Sequence, residues 1–124
     1  MNNGEFGGFH QKLKNLSDSF VWGVYGITQE FPREEVFGVT SQLRRAAMSV
    51  PLNLTEGYAR QSKKELSHFS KIAYGSLKEA LYIISFSNKM GWIEEKQYVS
   101  LIETGDVVAK MVWSIFSRID KEKT

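Results

Sequence analysis

Two groups of polar residues have types and spacings that could do chemistry. Arg45, Ser49, Asn53 and Glu56 follow one another at intervals of four, four and three residues. On a helix that spacing lines them along one stripe. A second pair, Ser76 and Glu79, lies on a flank with the apolar Ile72, Ile83 and Phe86. Glu56 and Glu79 could act together as a general acid and base. No nucleophile, phosphate loop or metal-ligand cluster accompanies them, so a hydrogen-bonded network that fixes helix register explains the same residues with less. Glu79 is expected to be partly buried, and a buried carboxylate must be paired. Arg44 and Arg45 are the partners considered, with Arg45 preferred.

The other group is basic. Lys64, Lys71 and Lys78 recur every seven residues, with Lys89 close to the same line. At 1.5 Å per residue the three lysines cover about 21 Å of one helix face. Such a stripe could meet several phosphates of a nucleic-acid backbone, and Arg44, Arg60 and Lys63 are natural additions to it. Tyr74 and Tyr82 flank the line, and no acidic residue falls on it. An ordinary solvated face is the competing explanation.

Metal chemistry finds little support. A di-iron bundle needs Glu-x-x-His on two helices and a glutamate on each of the other two. The chain has one copy, Glu65-Leu66-Ser67-His68, and its other histidine, His10, has no glutamate three residues before it. Neither a metal nor another cofactor is therefore expected, and no catalytic residues are assigned.

Four helices are needed to position these groups. Leu13, Leu16, Phe20, Val24, Ile27 and Phe31 recur every three or four residues and predict a helix from about His10 to Glu30. Pro32 disfavours helical backbone at Phe31 and closes it. Thr40 or Ser41 could cap a second helix. Its face carries Leu43, Ala47, Val50, Leu54 and Tyr58, while Met48, Leu52 and Ala59 lie nearly opposite. Pro51 should kink its axis. Ser62-Lys63-Lys64-Glu65 has the spacing of a capping box and opens a third helix. Its stripe is Leu66, Ala73, Leu77, Ala80 and Ile84, and Gly91 supplies a stop. A fourth runs from about Glu94 to Ile119 through Tyr98, Leu101, Ile102, Val108, Ala109, Val112 and Phe116. The predicted fold is all-α, an antiparallel up-down-up-down four-helix bundle spanning 10–120. Residues 1–9 and 121–124 are predicted to be tails.

Helix two is apolar on two sides, and Trp22 and Tyr25 face away from the stripe of helix one. Trp22, Tyr25, Met48, Leu52 and Ala59 are therefore expected to meet another copy of the chain. With 42% hydrophobic and 24% charged residues, the 124-residue chain has the composition of one globular domain rather than a disordered one. It contains no cysteine, which excludes disulfides and thiolate chemistry and fits a reducing compartment. No secretion signal or membrane-spanning run is read, so a cytoplasmic location is expected. A net charge of +2 does not by itself point to nucleic acid; the arrangement of the charges must.

Three stretches carry a family resemblance: Phe31-Pro32, Glu35–Ala47 with Ser49–Gly57, and Ile72-Ala73-Tyr74-Gly75-Ser76-Leu77-Lys78-Glu79. Together they resemble the bacterial 23S ribosomal-RNA intervening-sequence protein family over about Leu13–Ile119. That family is similar to the accessory variability determinant of diversity-generating retroelements. The resemblance implies a four-helix bundle, a homo-oligomer forming a ring of five, and a basic surface suited to RNA. Gly23 and Gly26, inside helix one, depart from the pattern. The functional expectation is a non-catalytic, ring-shaped RNA-binding protein. The alternative is a protein-binding scaffold or accessory subunit of a nucleic-acid enzyme, without direct RNA contact.

Overall fold

The computed structural model describes residues 6–122. Four helices account for nearly all of them: α1 (Phe6–Thr28), α2 (Val39–Ala59), α3 (Lys63–Lys89) and α4 (Glu95–Glu122), with a short 3-10 turn at Arg33–Glu35 between α1 and α2. There is no strand among the described residues. Helix α1 starts at Phe6, four residues before the expected start, and α4 runs on to Glu122. Residues 6–9 and 121–122, read as tail, are thus helical, and 1–5 and 123–124 lie outside the described residues.

Packing follows the apolar stripes. Each helix contacts its neighbours in the cycle α1–α2–α3–α4–α1, and among the described residues the backbones of the diagonal pairs α1–α3 and α2–α4 do not come close. Paired contacts show the directions. Thr28 meets Arg44 and His10 meets Tyr58 across α1 and α2, so numbers fall on one helix as they rise on the other. The same holds for Ser49 with Ser76 and Gly57 with Phe69 across α2 and α3, and for Lys71 with Asp120 and Ser85 with Tyr98 across α3 and α4. Leu13, Phe20, Val24, Leu43, Val50, Leu77, Ile84, Val108 and Val112 are sealed in the centre. Gly105 lets α4 approach closely: a Cβ there would stand 2.5 Å from Leu81 Cδ2 and 3.0 Å from Phe20 Cε1.

The helix ends have identifiable causes. Helix α1 stops at Thr28, and Phe31 turns inward to pack on Trp92 at 5.2 Å between ring centroids. Helix α2 begins one residue before the expected caps. Glu35 reaches forward to accept the Val39 N–H at 3.3 Å, while Thr40 is buried. Pro51 lies inside α2 without ending it. Ser62 caps α3 by accepting the Glu65 N–H. At the far end of α3, Gly91 N–H bonds to Asn88 O and Trp92 N–H to Ser87 O. That double closure needs a left-handed residue, and Gly91 supplies it with φ of 81°.

Candidate nucleic-acid interface

Lys64, Lys71 and Lys78 are all exposed along α3, because their line lies on the side of the helix opposite the buried Ala73, Leu77 and Ile84. They are not equivalent. Lys71 Nζ is 2.8 Å from Asp120 Oδ2, and Lys63 Nζ is 2.8 Å from Glu122 Oε2. Lys78 Nζ sits 5.9 Å from the centre of the Tyr74 ring. Lys64 and Lys78 form no ion pair among the described residues. The line read as free of acids therefore meets a carboxylate of α4 at Lys71, and the neighbouring Lys63 meets another. Sequence reasoning missed them because 121–124 was read as a frayed tail with Asp120 at its edge.

Arg60 stands close to this stripe, at the turn into α3. Its guanidinium bonds to Glu56 Oε2 at 2.8 Å and Glu65 Oε1 at 3.1 Å, and lies 5.2 Å from the Phe69 ring centre. The hydrogen bond from Arg60 to Glu56, with its charge, pushes the guanidinium pKa further up. Arg44 belongs elsewhere. Its Nε donates to Thr28 Oγ1 at 2.8 Å and its guanidinium covers the Tyr25 ring at 4.6 Å. Both partners are on α1, so Arg44 is directed away from the α3 lysines.

The polar network is smaller than the sequence implied. Ser49 Oγ and Ser76 Oγ are 2.8 Å apart, and Asn53 Nδ2 donates to Ser49 O and Ser49 Oγ, each at 2.8 Å. These three residues tie α2 to α3. Glu56 is engaged with Arg60 instead. Glu79, expected to be partly buried against an arginine, is exposed in this single chain and makes no ion pair among the described residues. The cause is register: Ile72, Glu79 and Phe86 fall seven residues apart on one line, and Ile72 and Phe86 are themselves exposed. Arg45, also exposed, lines a shallow cleft with Glu79 and Ser76 but is not within ion-pair distance of Glu79. The two carboxylates have no shared site, since Glu56 lies beside Arg60 and Glu79 beside that cleft.

On the α1–α2 side Trp22 is 79% exposed, Leu52 61% and Phe37 95%, with Tyr25 and Met48 beside them. Tyr25, Phe37, Met48, Leu52, Arg44 and Arg45 share a groove of about 660 Å³. Phe37 and Val36 were missed because periodicity is silent about connections; two large apolar residues in a turn were the available signal. Ala59 is exposed but lines a different cleft, between α1 and α2, with His10 and Tyr58. Burial raises the Tyr58 pKa, keeping the phenol neutral.

His68 is exposed, its ring packed on Phe69 at 5.1 Å. Among the described residues no three histidine or acidic groups are placed to hold a metal ion. Nor is any described helix long and apolar enough to cross a membrane.

Comparison with known proteins agrees with the fold. The chain resembles a solved structure of a protein of unknown function from the S23 ribosomal protein family of Bacteroides thetaiotaomicron VPI-5482. The two are 21% identical, with a TM-score of 0.79 over 88% of this chain and 98% of the other. No curated protein matches. The model of the 23S rRNA-intervening sequence proteins matches residues 10–114, which takes in α2, α3 and most of α1 and α4. On that match the chain belongs to the 23S rRNA-intervening sequence protein family.

Proposed function

We propose that this protein is a non-catalytic, cytoplasmic RNA-binding bundle working as a ring-shaped homo-oligomer. Backbone contacts from the lysine face of α3 hold structured RNA or a ribonucleoprotein. The observation that carries the reading is the separation of two surfaces. Trp22, Tyr25, Met48 and Leu52 form one exposed apolar group on α1 and α2, whereas Lys64, Lys71 and Lys78 line α3, diagonally across from α1, on a helix where Ile72, Tyr82 and Phe86 are exposed as well. Self-association through the first surface leaves the second open and repeats it around the ring. Modest contacts per copy then add through avidity, which offsets a net charge of only +2. Five copies is the number the family resemblance implies.

Filter binding to a structured RNA at low and high salt tests the reading. Neutralising phosphates releases counterions, so affinity should fall steeply as salt rises. Lys64, Lys71 and Lys78 changed together to glutamate should abolish binding with helical content and assembly intact. Undetectable binding even at low salt refutes the RNA reading. A protein-binding scaffold without RNA contact would then take its place, and the 95% exposure of Phe37 is the observation that favours it.

A further inference from the structure

Trp113, on α4, is 52% exposed, yet its ring is held in place. It packs on Tyr74 of α3 at 5.5 Å and on Phe116 at 5.0 Å between ring centroids, and Tyr74 and Phe116 meet each other at 5.7 Å. All three pairs are tilted or edge to face, so neither neighbouring ring lies parallel on the indole. Phe116 is buried and Tyr74 half-buried, which makes them a floor under a surface ring. Cations surround this cluster. Lys78 Nζ lies 5.9 Å from the Tyr74 ring centre, and Lys71 Nζ 5.9 Å from that of Phe116. Lys110 is exposed three residues before Trp113, a spacing that makes them neighbours on a helix. Among the described residues Lys78 and Lys110 form no ion pair, and the exposed Asp106, four residues before Lys110, does not reach it.

We infer that this face takes an unpaired stretch of RNA, with one base stacked on Trp113 and adjoining phosphates on Lys78 and Lys110. The inference rests on the RNA-binding reading above and adds a contact that a fully paired helix cannot make. In a duplex the base faces already cover one another, so only a base that has left the stack can cover the indole. Every base has a π-face, so the contact asks for an unpaired base and not for a particular one. Each nucleotide brings a planar ring and a negative charge together. Here a half-exposed ring and free ammonium groups lie side by side to meet them. An apolar protein surface could cover Trp113 only by stripping water from those ammonium groups without pairing them. Tyr82, 74% exposed and one turn beyond Lys78, offers the strand a second ring. Trp113 packs on the α3 side of α4, so joining copies through the α1–α2 surface leaves the site open.

The test uses the full chain labelled with 5-fluorotryptophan, whose ¹⁹F signals are assigned by replacing Trp22, Trp92 and Trp113 singly with Phe. It is titrated at low salt with a short oligouridylate and, separately, with a blunt RNA duplex. The Trp113 signal should shift and saturate with the oligouridylate and move little with the duplex, while the Trp22 signal moves with neither. Trp113→Ala should weaken single-strand binding by about 5- to 150-fold, the range for loss of one stacked base, and leave duplex affinity unchanged. Trp113→Phe should keep most of the parent's affinity. Salt dependence should be the same in Trp113→Ala as in the parent, because no phosphate contact is lost. Lys78→Gln with Lys110→Gln should instead flatten it, by about 0.7 in logarithmic slope for each lysine. Circular dichroism checks that Trp113→Ala folds, and the signal shifts of the parent chain decide the matter without it.

A single strand that binds while the Trp113 signal stays put, or that binds Trp113→Ala as tightly as the parent, overturns the stacking site and leaves the RNA-binding reading standing. Equal shifts with single strand and duplex overturn the requirement for an unpaired base. If neither RNA binds at low salt, the RNA-binding reading falls and the inference with it. A shift of the Trp113 signal by oligoglutamate under those same conditions would then assign the face to an acidic protein segment.

Discussion

Asp120 on α4 binds two residues of α3 at once: its Oδ2 lies 2.8 Å from Lys71 Nζ, and its Oδ1 accepts the Ser67 hydroxyl at 2.9 Å. The same carboxylate therefore locks the end of α4 onto α3 and occupies the middle lysine of the exposed line. A phosphate approaching Lys71 must compete with that carboxylate for the ammonium.

That competition can be measured. Asp120→Asn keeps a group able to accept from Ser67 but removes the negative charge beside Lys71. RNA affinity should rise by a few-fold at low salt, and the salt dependence should steepen as Lys71 becomes free to neutralise a phosphate. The cost in stability should be small, about 0–1 kcal/mol, because both partners of the ion pair are substantially exposed. Unchanged RNA affinity in this variant would show that Lys71 does not touch RNA.

Self-association is tested by Leu52→Asp. Leu52 is 61% exposed, so a charge there leaves the fold of one chain unharmed and acts only where copies meet. Light scattering should then report monomers, while circular dichroism stays that of the parent. A parent already monomeric at micromolar concentration would refute the ring.

How far the sequence could be read depended on the kind of information each residue carries. The core stripes were legible because burial imposes a period: Leu13, Phe20, Val24, Leu43, Leu77 and Val112 are all inside, as their spacing required. Glu79 was misplaced because a helical wheel shows which residues share a line, not whether a neighbouring helix covers it. Ile72 and Phe86 share that line and are exposed with it. Arg44 and Arg45 differ by one position, about 100° of rotation, and that single step sends Arg44 to Thr28 while Arg45 lines the cleft with Ser76 and Glu79. Asp120 and Phe37 carried no periodic signal, one at the end of α4 and the other in a turn.

Glycines in the helices separate into two kinds. Gly105→Ala should destabilise the protein by about 1–2 kcal/mol: overpacking against Leu81 and Phe20 costs about 1–3 kcal/mol, and improved helix propensity returns up to about 1. A Cβ at Gly26 meets nothing within 4 Å, so Gly26→Ala should stabilise by about 0.5–1 kcal/mol. Thermal melts of both variants at equal protein concentration decide between them. Equal shifts would mean that α4 does not need its close approach at Gly105.

Tyr58 gives the protein an alkaline limit. Burial raises its pKa above the ordinary value of 10.0 because the phenolate is poorly solvated between α1 and α2. Below pH 10 the phenol is neutral in both folded and unfolded chains, and its contribution to stability is fully present. Above that value the unfolded chain loses its proton first and binds fewer protons than the folded one, so stability falls as pH rises through the folded pKa. Urea unfolding at pH 8, 10 and 11, with Tyr58→Phe as the control, should show a decline beginning near pH 10 that is smaller in the variant. If parent and variant decline in parallel, the Tyr58 phenol ionises as freely in the folded chain as in the unfolded one, and the alkaline loss must come from other groups.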